Sequence, residues 1–287
     1  MTTTFPQLLL QHAAQRPDAP ALREKEYGIW QTWSWKAAAA EVRLMACGLL
    51  SLGFAKGQNL ALISDNRPHV YMGFIAVQSI GGVPIPLYQD AVANEMRFVM
   101  EDAEIHFAFA ENQEQVDKLL EVRETVPSIA HIIYDDPRGL RNYDQPGLIS
   151  TAQLMALGAE WAAKHPDALS KEMAQIRPDD ISVILYTSGT TGKPKGVCLT
   201  HSAFIASAQG GVEVELHRAH GHAGTRGPLD PGDPLVAEAG AQLDGRDALG
   251  GNHLFGGGLR LGVIFAADDV QDGNRSEEHT SELQSHL

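Results

Sequence analysis

Between residues 59 and 134 the chain alternates short apolar runs with longer segments whose apolar residues recur at helical spacing. Residues 59–64, 83–87, 106–110 and 131–134 read as strands. Residues 68–80, 94–104 and 113–125 read as the helices between them. Strands that reach the next strand only through a helix argue for parallel pairing, because parallel neighbours need a crossover connection. Helical crossovers then cover the sheet on its faces. The pattern predicts an α/β fold of mostly parallel sheets flanked by helices. It also disposes of one alternative. Residues 70–88 carry no formal charge and are nearly long enough to span a bilayer. Gly81-Gly82, Pro84 and Pro86 break the run, and Gln78 and Ser79 interrupt it, so it reads as a helix, a turn and a buried strand.

The flanks follow the same logic. Residues 5–15 read as a helix, and residues 21–24 and 30–33 as a hairpin turning around Glu26-Tyr-Gly28. Ser34 is placed to cap a helix over residues 35–52 that stops at Gly53. Residues 138–147 read as a loop and 151–164 as a helix. The aromatic cluster Thr32-Trp-Ser-Trp35 reads as a packed hairpin–helix junction in preference to a ligand-stacking site.

The strongest functional signal follows the apolar run of residues 181–185. It is the stretch Tyr186-Thr-Ser-Gly-Thr-Thr-Gly-Lys-Pro-Lys-Gly-Val197. Glycines let backbone N–H groups approach an anion closely. Hydroxyls donate to phosphate oxygens, and lysine adds a mobile charge. This density of such residues exceeds what an ordinary surface turn needs. The spacing is not that of a P-loop, Gly-x-x-x-x-Gly-Lys-Ser/Thr. Only two residues separate Gly189 from Gly192, and Pro194 forbids a helix at the point where a P-loop enters one. The chain continues into a second short strand, so the loop reads as a hairpin tip. Tyr186 stands where a nucleophile elbow needs glycine, which makes Ser188 a poor nucleophile.

This segment resembles, at every position, the signature of the adenylate-forming superfamily, which includes acyl-CoA synthetases and luciferases. The likeness extends over residues 21–90 and to Leu199-Thr-His-Ser-Ala-Phe204. Ala21-Leu-Arg-Glu-Lys, Gly28-Ile-Trp-Gln and Asp65-Asn-Arg-Pro68 are most similar to bacterial long-chain fatty acyl-CoA synthetases. The resemblance implies the fold as an incomplete large N-terminal domain of that superfamily. It implies activation of a carboxylic acid by ATP to an acyl-adenylate, with transfer to coenzyme A and Mg²⁺ as the counter-cation. Thr187, Ser188, Gly189, Thr190, Thr191, Gly192 and Lys195 would hold the phosphates, with Lys195 as the catalytic charge. Lys193 falls at a variable position, and His201 is divided between facing the ligand and a capping or surface role. No metal-ligand set is assigned. The superfamily's Tyr-Gly-x-Thr-Glu and Thr-Gly-Asp segments and its small C-terminal domain are not found, so the 287 residues are expected to have little activity alone. The alternatives are a non-catalytic nucleotide- or acyl-binding module and, disfavoured by the spacing, a P-loop kinase or ATPase.

Composition narrows the partners. A formal charge of −14 argues against nucleic acid. Two distant cysteines fit a reducing compartment, the N-terminus lacks a signal-peptide pattern, and a cytoplasmic location is expected. A peripheral association with membranes is left open. Beyond about residue 211 the texture changes. Fifteen of the 28 glycines lie from Gly210 onward and no lysine follows Lys195, which argues against a continuation of the same domain. The expected division is a partial AMP-binding domain over 1–211, a degraded or partly frameshifted region over 212–274, and a tail over 275–287. That tail resembles translated sequencing-adapter DNA. A flexible glycine-rich linker and a metal site at His217, His220 and His222 are the other readings of this region, the metal site being the weaker.

Overall fold

The structure is a computed structural model that describes residues 3–188 and 194–208. The chain divides into two units, residues 1–202 and 203–287. All the strands described lie in the first. The expected boundaries of the glycine-rich region and the tail, with His217, His220 and His222, fall outside the described residues.

Helix α1 (Phe5–Gln15) starts on a capping box, in which Thr4 accepts from the Gln7 amide and the Gln7 side chain answers to Thr4. Strands β1 (Pro20–Glu26) and β2 (Ile29–Ser34) form an antiparallel hairpin. Ser34 caps α2 (Trp35–Ser51) by accepting from Ala37 N at 3.2 Å. The alternating stretch follows as β3 (Asn59–Ile63), α3 (Pro68–Ser79), β4 (Val83–Leu87), α4 (Ala93–Asp102), β5 (Phe107–Ala110), α5 (Gln113–Thr125) and β6 (His131–Tyr134). Then come β7 (Leu148–Ser150), α6 (Thr151–Lys164), α7 (Ala168–Ala174), β8 (Ile181–Ser188) and β9 (Pro194–Thr200). Residues 201–208 are helical.

Five strands form one parallel sheet in the order β4-β3-β5-β6-β7. Both faces are covered, as parallel sheets require. The period of two sorts each strand between them. Ala61, Ile63, Ile85, Ala108, Ala110 and Ile132 pack with Met96 and Met100 of α4 and Val116 and Leu119 of α5. On the other face Leu62 and Phe109 come to the α3 residue Gly73, where Met45 of α2 also arrives. Helices α2 and α6 cross at backbone distance. A Cβ on Gly158 would collide with the Leu44 carbonyl, and one on Gly48 with the Leu154 carbonyl.

The strand order reverses direction between β3 and β5. In open α/β sheets that point, at the carboxyl ends, is the usual ligand crevice. Here Glu111 occupies it. Its carboxylate accepts from Asp65 N at 2.7 Å and from Arg67 Nη1 at 3.1 Å, and Arg67 Nε also donates to Glu24 Oε1 of β1 at 2.7 Å. Beside it, His69 Nδ1 lies 2.7 Å from Asp135 and Nε2 lies 3.2 Å from Glu41. A carboxylate only accepts, so both ring nitrogens donate and the ring is a cation. Burial opposes that charge, but the hydrogen bonds and charges of Asp135 and Glu41 outweigh it and raise the pKa to about 10. The junction at Trp33 and Trp35 is packed. Trp35 is buried against His12 at 4.5 Å between ring centres, and Trp33 donates to Glu41 at 3.1 Å.

Candidate functional site

The phosphate-loop sequence sits where β8 turns into β9, and the two strands pair antiparallel. The expected hairpin is therefore present, and the next described residues form the strand β9, where a P-loop would have a helix. The register places Thr187 opposite Lys195 and Ser188 opposite Pro194. Pro194 takes the first position of its strand, where the lack of an N–H is tolerated. Thr187 is half-buried and Lys195 is exposed. The structure thus brings the first hydroxyl and the last lysine of the candidate set together at the mouth of the loop. Gly189, Thr190, Thr191, Gly192 and Lys193 lie outside the described residues.

The inner strand is held firmly. β8 runs beside β4, the edge strand of the five-stranded sheet. Gln78 Nε2, buried in α3, donates to the Ser182 carbonyl at 2.8 Å, and the Ser182 hydroxyl donates to the Leu199 carbonyl of β9 at 3.1 Å. Tyr186 donates to Asp102 Oδ2 at the end of α4 at 2.6 Å. Burial and that hydrogen bond raise the phenol above its usual range, which keeps it a donor. Gly196 lies opposite Tyr186, and a Cβ there would meet Ile184 at 2.9 Å and the Tyr186 ring at 3.3 Å. Glycine at this motif position lets the ring lie across β9. Spacing alone carries no signal for Gln78 or Asp102, which reach β8 from 104 and 84 residues away.

His201 follows β9 directly, and of the roles weighed for it the structure excludes surface exposure. It is buried, and its Nδ1 accepts from the Phe5 amide at 3.4 Å in the first turn of α1. Burial lowers its pKa to about 4 against the weaker opposing charge of Asp180, so the ring is neutral at pH 7. Among the described residues, no group of three or more His, Cys, Asp or Glu is placed to hold a metal ion. Nor is any described helix long and apolar enough to cross a membrane.

Comparison with known proteins places this geometry. Residues 9–226 match the family model described as AMP-binding enzyme. A long-chain-fatty-acid–CoA ligase of Mycobacterium tuberculosis is 28% identical over 203 residues, which are 71% of this chain and 32% of that protein. A long-chain-fatty-acid–CoA ligase of Xenopus laevis is 28% identical over 219 residues, 75% of this chain and 29% of that protein. The chain therefore spans about a third of the length of the curated relatives it matches. Among solved structures, an anthranilate CoA ligase with bound anthranoyl-AMP superposes with a TM-score of 0.60 at 20% identity, over 72% of this chain and 36% of that one. An acetoacetyl-CoA synthetase from Streptomyces lividans gives 0.60 at 23% identity, over 72% and 32%. These two likenesses support the fold.

Proposed function

The chain belongs to the AMP-binding enzyme family, and from that premise we propose that it carries the phosphate grip of an acid–thiol ligase. In the first step a carboxylate oxygen attacks the α-phosphate of ATP, the bond to the β-phosphate breaks, and pyrophosphate leaves. In the second the thiol of coenzyme A takes the acyl group and AMP leaves. A long-chain fatty acid is the proposed acid, supported by the relatives' names and the segments around Ala21, Gly28 and Asp65. A carboxylate is already a nucleophile, so the first step needs positioning and charge neutralisation in place of a base.

The observation that carries this reading is the β8–β9 hairpin, with Thr187 and Lys195 facing each other at the mouth of its Gly- and Thr-rich turn. Lys195 is the proposed cation for the leaving pyrophosphate. Thr187, Ser188, Thr190 and Thr191 are the proposed hydroxyl donors, with backbone N–H groups at Gly189 and Gly192. Magnesium, bound through the nucleotide's phosphates, would supply further neutralisation.

Equilibrium dialysis of ATP against Lys195→Ala tests the grip. A charge-assisted contact of about 1.5–3 kcal/mol makes the expected loss roughly 10- to 100-fold. Unchanged binding sinks the assignment. The second reading is a non-catalytic nucleotide- or acyl-binding module. Bound ATP with no pyrophosphate release on adding a long-chain fatty acid supports it, whereas robust acyl-CoA formation by these 287 residues rules it out.

A further inference from the structure

The β1–β2 hairpin sorts a sequence of mixed charge into two faces. Arg23-Glu-Lys-Glu26 is neutral as a string, but a strand sends successive side chains to opposite sides. Glu24 turns inward to Arg67, at 2.7 Å. Glu26 is half-buried and is among the charges acting on Arg138. Arg23 and Lys25 turn outward and are exposed. The register sets Lys25 opposite Trp30 and Arg23 opposite Thr32 on that outer face. The Arg23 guanidinium lies 4.9 Å and the Lys25 ammonium 5.9 Å from the Trp30 ring centre.

The turn adds a second observation. Glu26 pairs with Ile29, so Tyr27 and Gly28 form a two-residue loop, and both have positive φ, 48° and 82°. That turn prefers Asn-Gly or Asp-Gly, and a bulky residue adopts its first position rarely. Here the position holds a tyrosine that is 77% exposed, next to Ile29 at 65%. Arg138 stands over the Tyr27 ring at 5.6 Å and donates to its hydroxyl, while Asp136 pairs with Arg138 from the other side. The contacts with Arg138 hold the ring, yet most of its surface still faces solvent at a strained position. Tyrosine, tryptophan, isoleucine and flanking basic residues are together the side chains that suit a membrane–water interface.

We propose that the β1–β2 hairpin docks this protein on an anionic lipid bilayer, with Tyr27 and Ile29 entering the headgroup region and Arg23 and Lys25 meeting lipid phosphates around Trp30. Charge complementarity selects this occupant. The chain has 36 acidic against 22 basic residues, so an outward face from which the acids are turned away runs against its overall balance. The inference stands apart from the acid-activation reading, since docking needs neither ATP nor acid.

Vesicle flotation of the full chain, without nucleotide, tests it. The chain should float with vesicles of phosphatidylglycerol mixed with phosphatidylcholine, and not with phosphatidylcholine alone. Arg23→Glu with Lys25→Glu should weaken that binding by at least about tenfold. Tyr27→Asn is the decisive variant, because asparagine relieves the turn while removing the anchor. It should raise the melting temperature and lower vesicle binding together. Absence of binding by the unaltered chain, binding that survives both variants, or a change of oligomeric state in their place overturns the proposal. Lys195→Ala should float like the unaltered chain, which separates a failure here from a failure of the phosphate grip.

Discussion

The strands of the five-stranded sheet are covered by helices on both faces, whereas β9 is exposed from Lys195 through Cys198. One region is a packed core. The other is, among the described residues, an edge strand paired with β8, which Gln78 and Tyr186 tie to the rest of the unit. The proposed phosphate-binding groups would have to be reachable, which accords with a candidate strand that gives up burial over a scaffold that supplies rigidity.

Core truncation should separate the two regions most widely. Ile132→Ala, in the middle of the sheet, should cost about 2–5 kcal/mol by urea denaturation. An equal loss at Val197 of β9 would break the contrast. Crowding the helix layer comes next. Gly158→Ala drives a methyl into the Leu44 carbonyl, and the expected cost is about 1–3 kcal/mol from strained packing. A neutral outcome would mean that α2 and α6 can separate freely.

The half-buried His69 and the buried His201 should tilt stability in opposite directions with pH. The folded pKa of His69 is about 10 against an ordinary 6.5, so its contribution is complete below pH 6.5 and is lost as pH rises toward 10. The folded pKa of His201 is about 4, so its contribution is complete above 6.5 and is lost as pH falls toward 4. Urea midpoints across that range should flatten on the alkaline side in His69→Gln and on the acid side in His201→Gln. The smallest effect belongs to the exposed strand. Val197→Ala should stay within about 0.5 kcal/mol of the unaltered chain.

Much of the scaffold was legible because its signals are local. Helices α1, α5 and α6 and strands β4 and β6 have the bounds that capping residues and apolar runs predict. The hairpin form of the site was legible for the same reason, since Pro194 excludes a helix within the loop itself. Strand β7 was not, because the three residues that follow Gly147 and end on the capping Ser150 show no periodicity, and only pairing with β6 makes them a strand. Helix α7 was missed as well, at seven residues with no side-chain cap hydrogen bond. The role of His201 depends on Phe5, 196 residues earlier, and the Glu111 and His69 ion pairs join elements that the sequence leaves unconnected. Pairings of that kind are decided by topology, which spacing does not encode.

The exposure of β9 also gives the experimenter a handle. Of the chain's two thiols, Cys47 is buried, and burial raises its pKa, whereas Cys198 is exposed three residues from Lys195. A maleimide dye offered to the folded protein should attach at Cys198 alone. The fluorophore would then sit on the strand that bears the candidate lysine, where a change in its emission on adding ATP would read out the proposed grip.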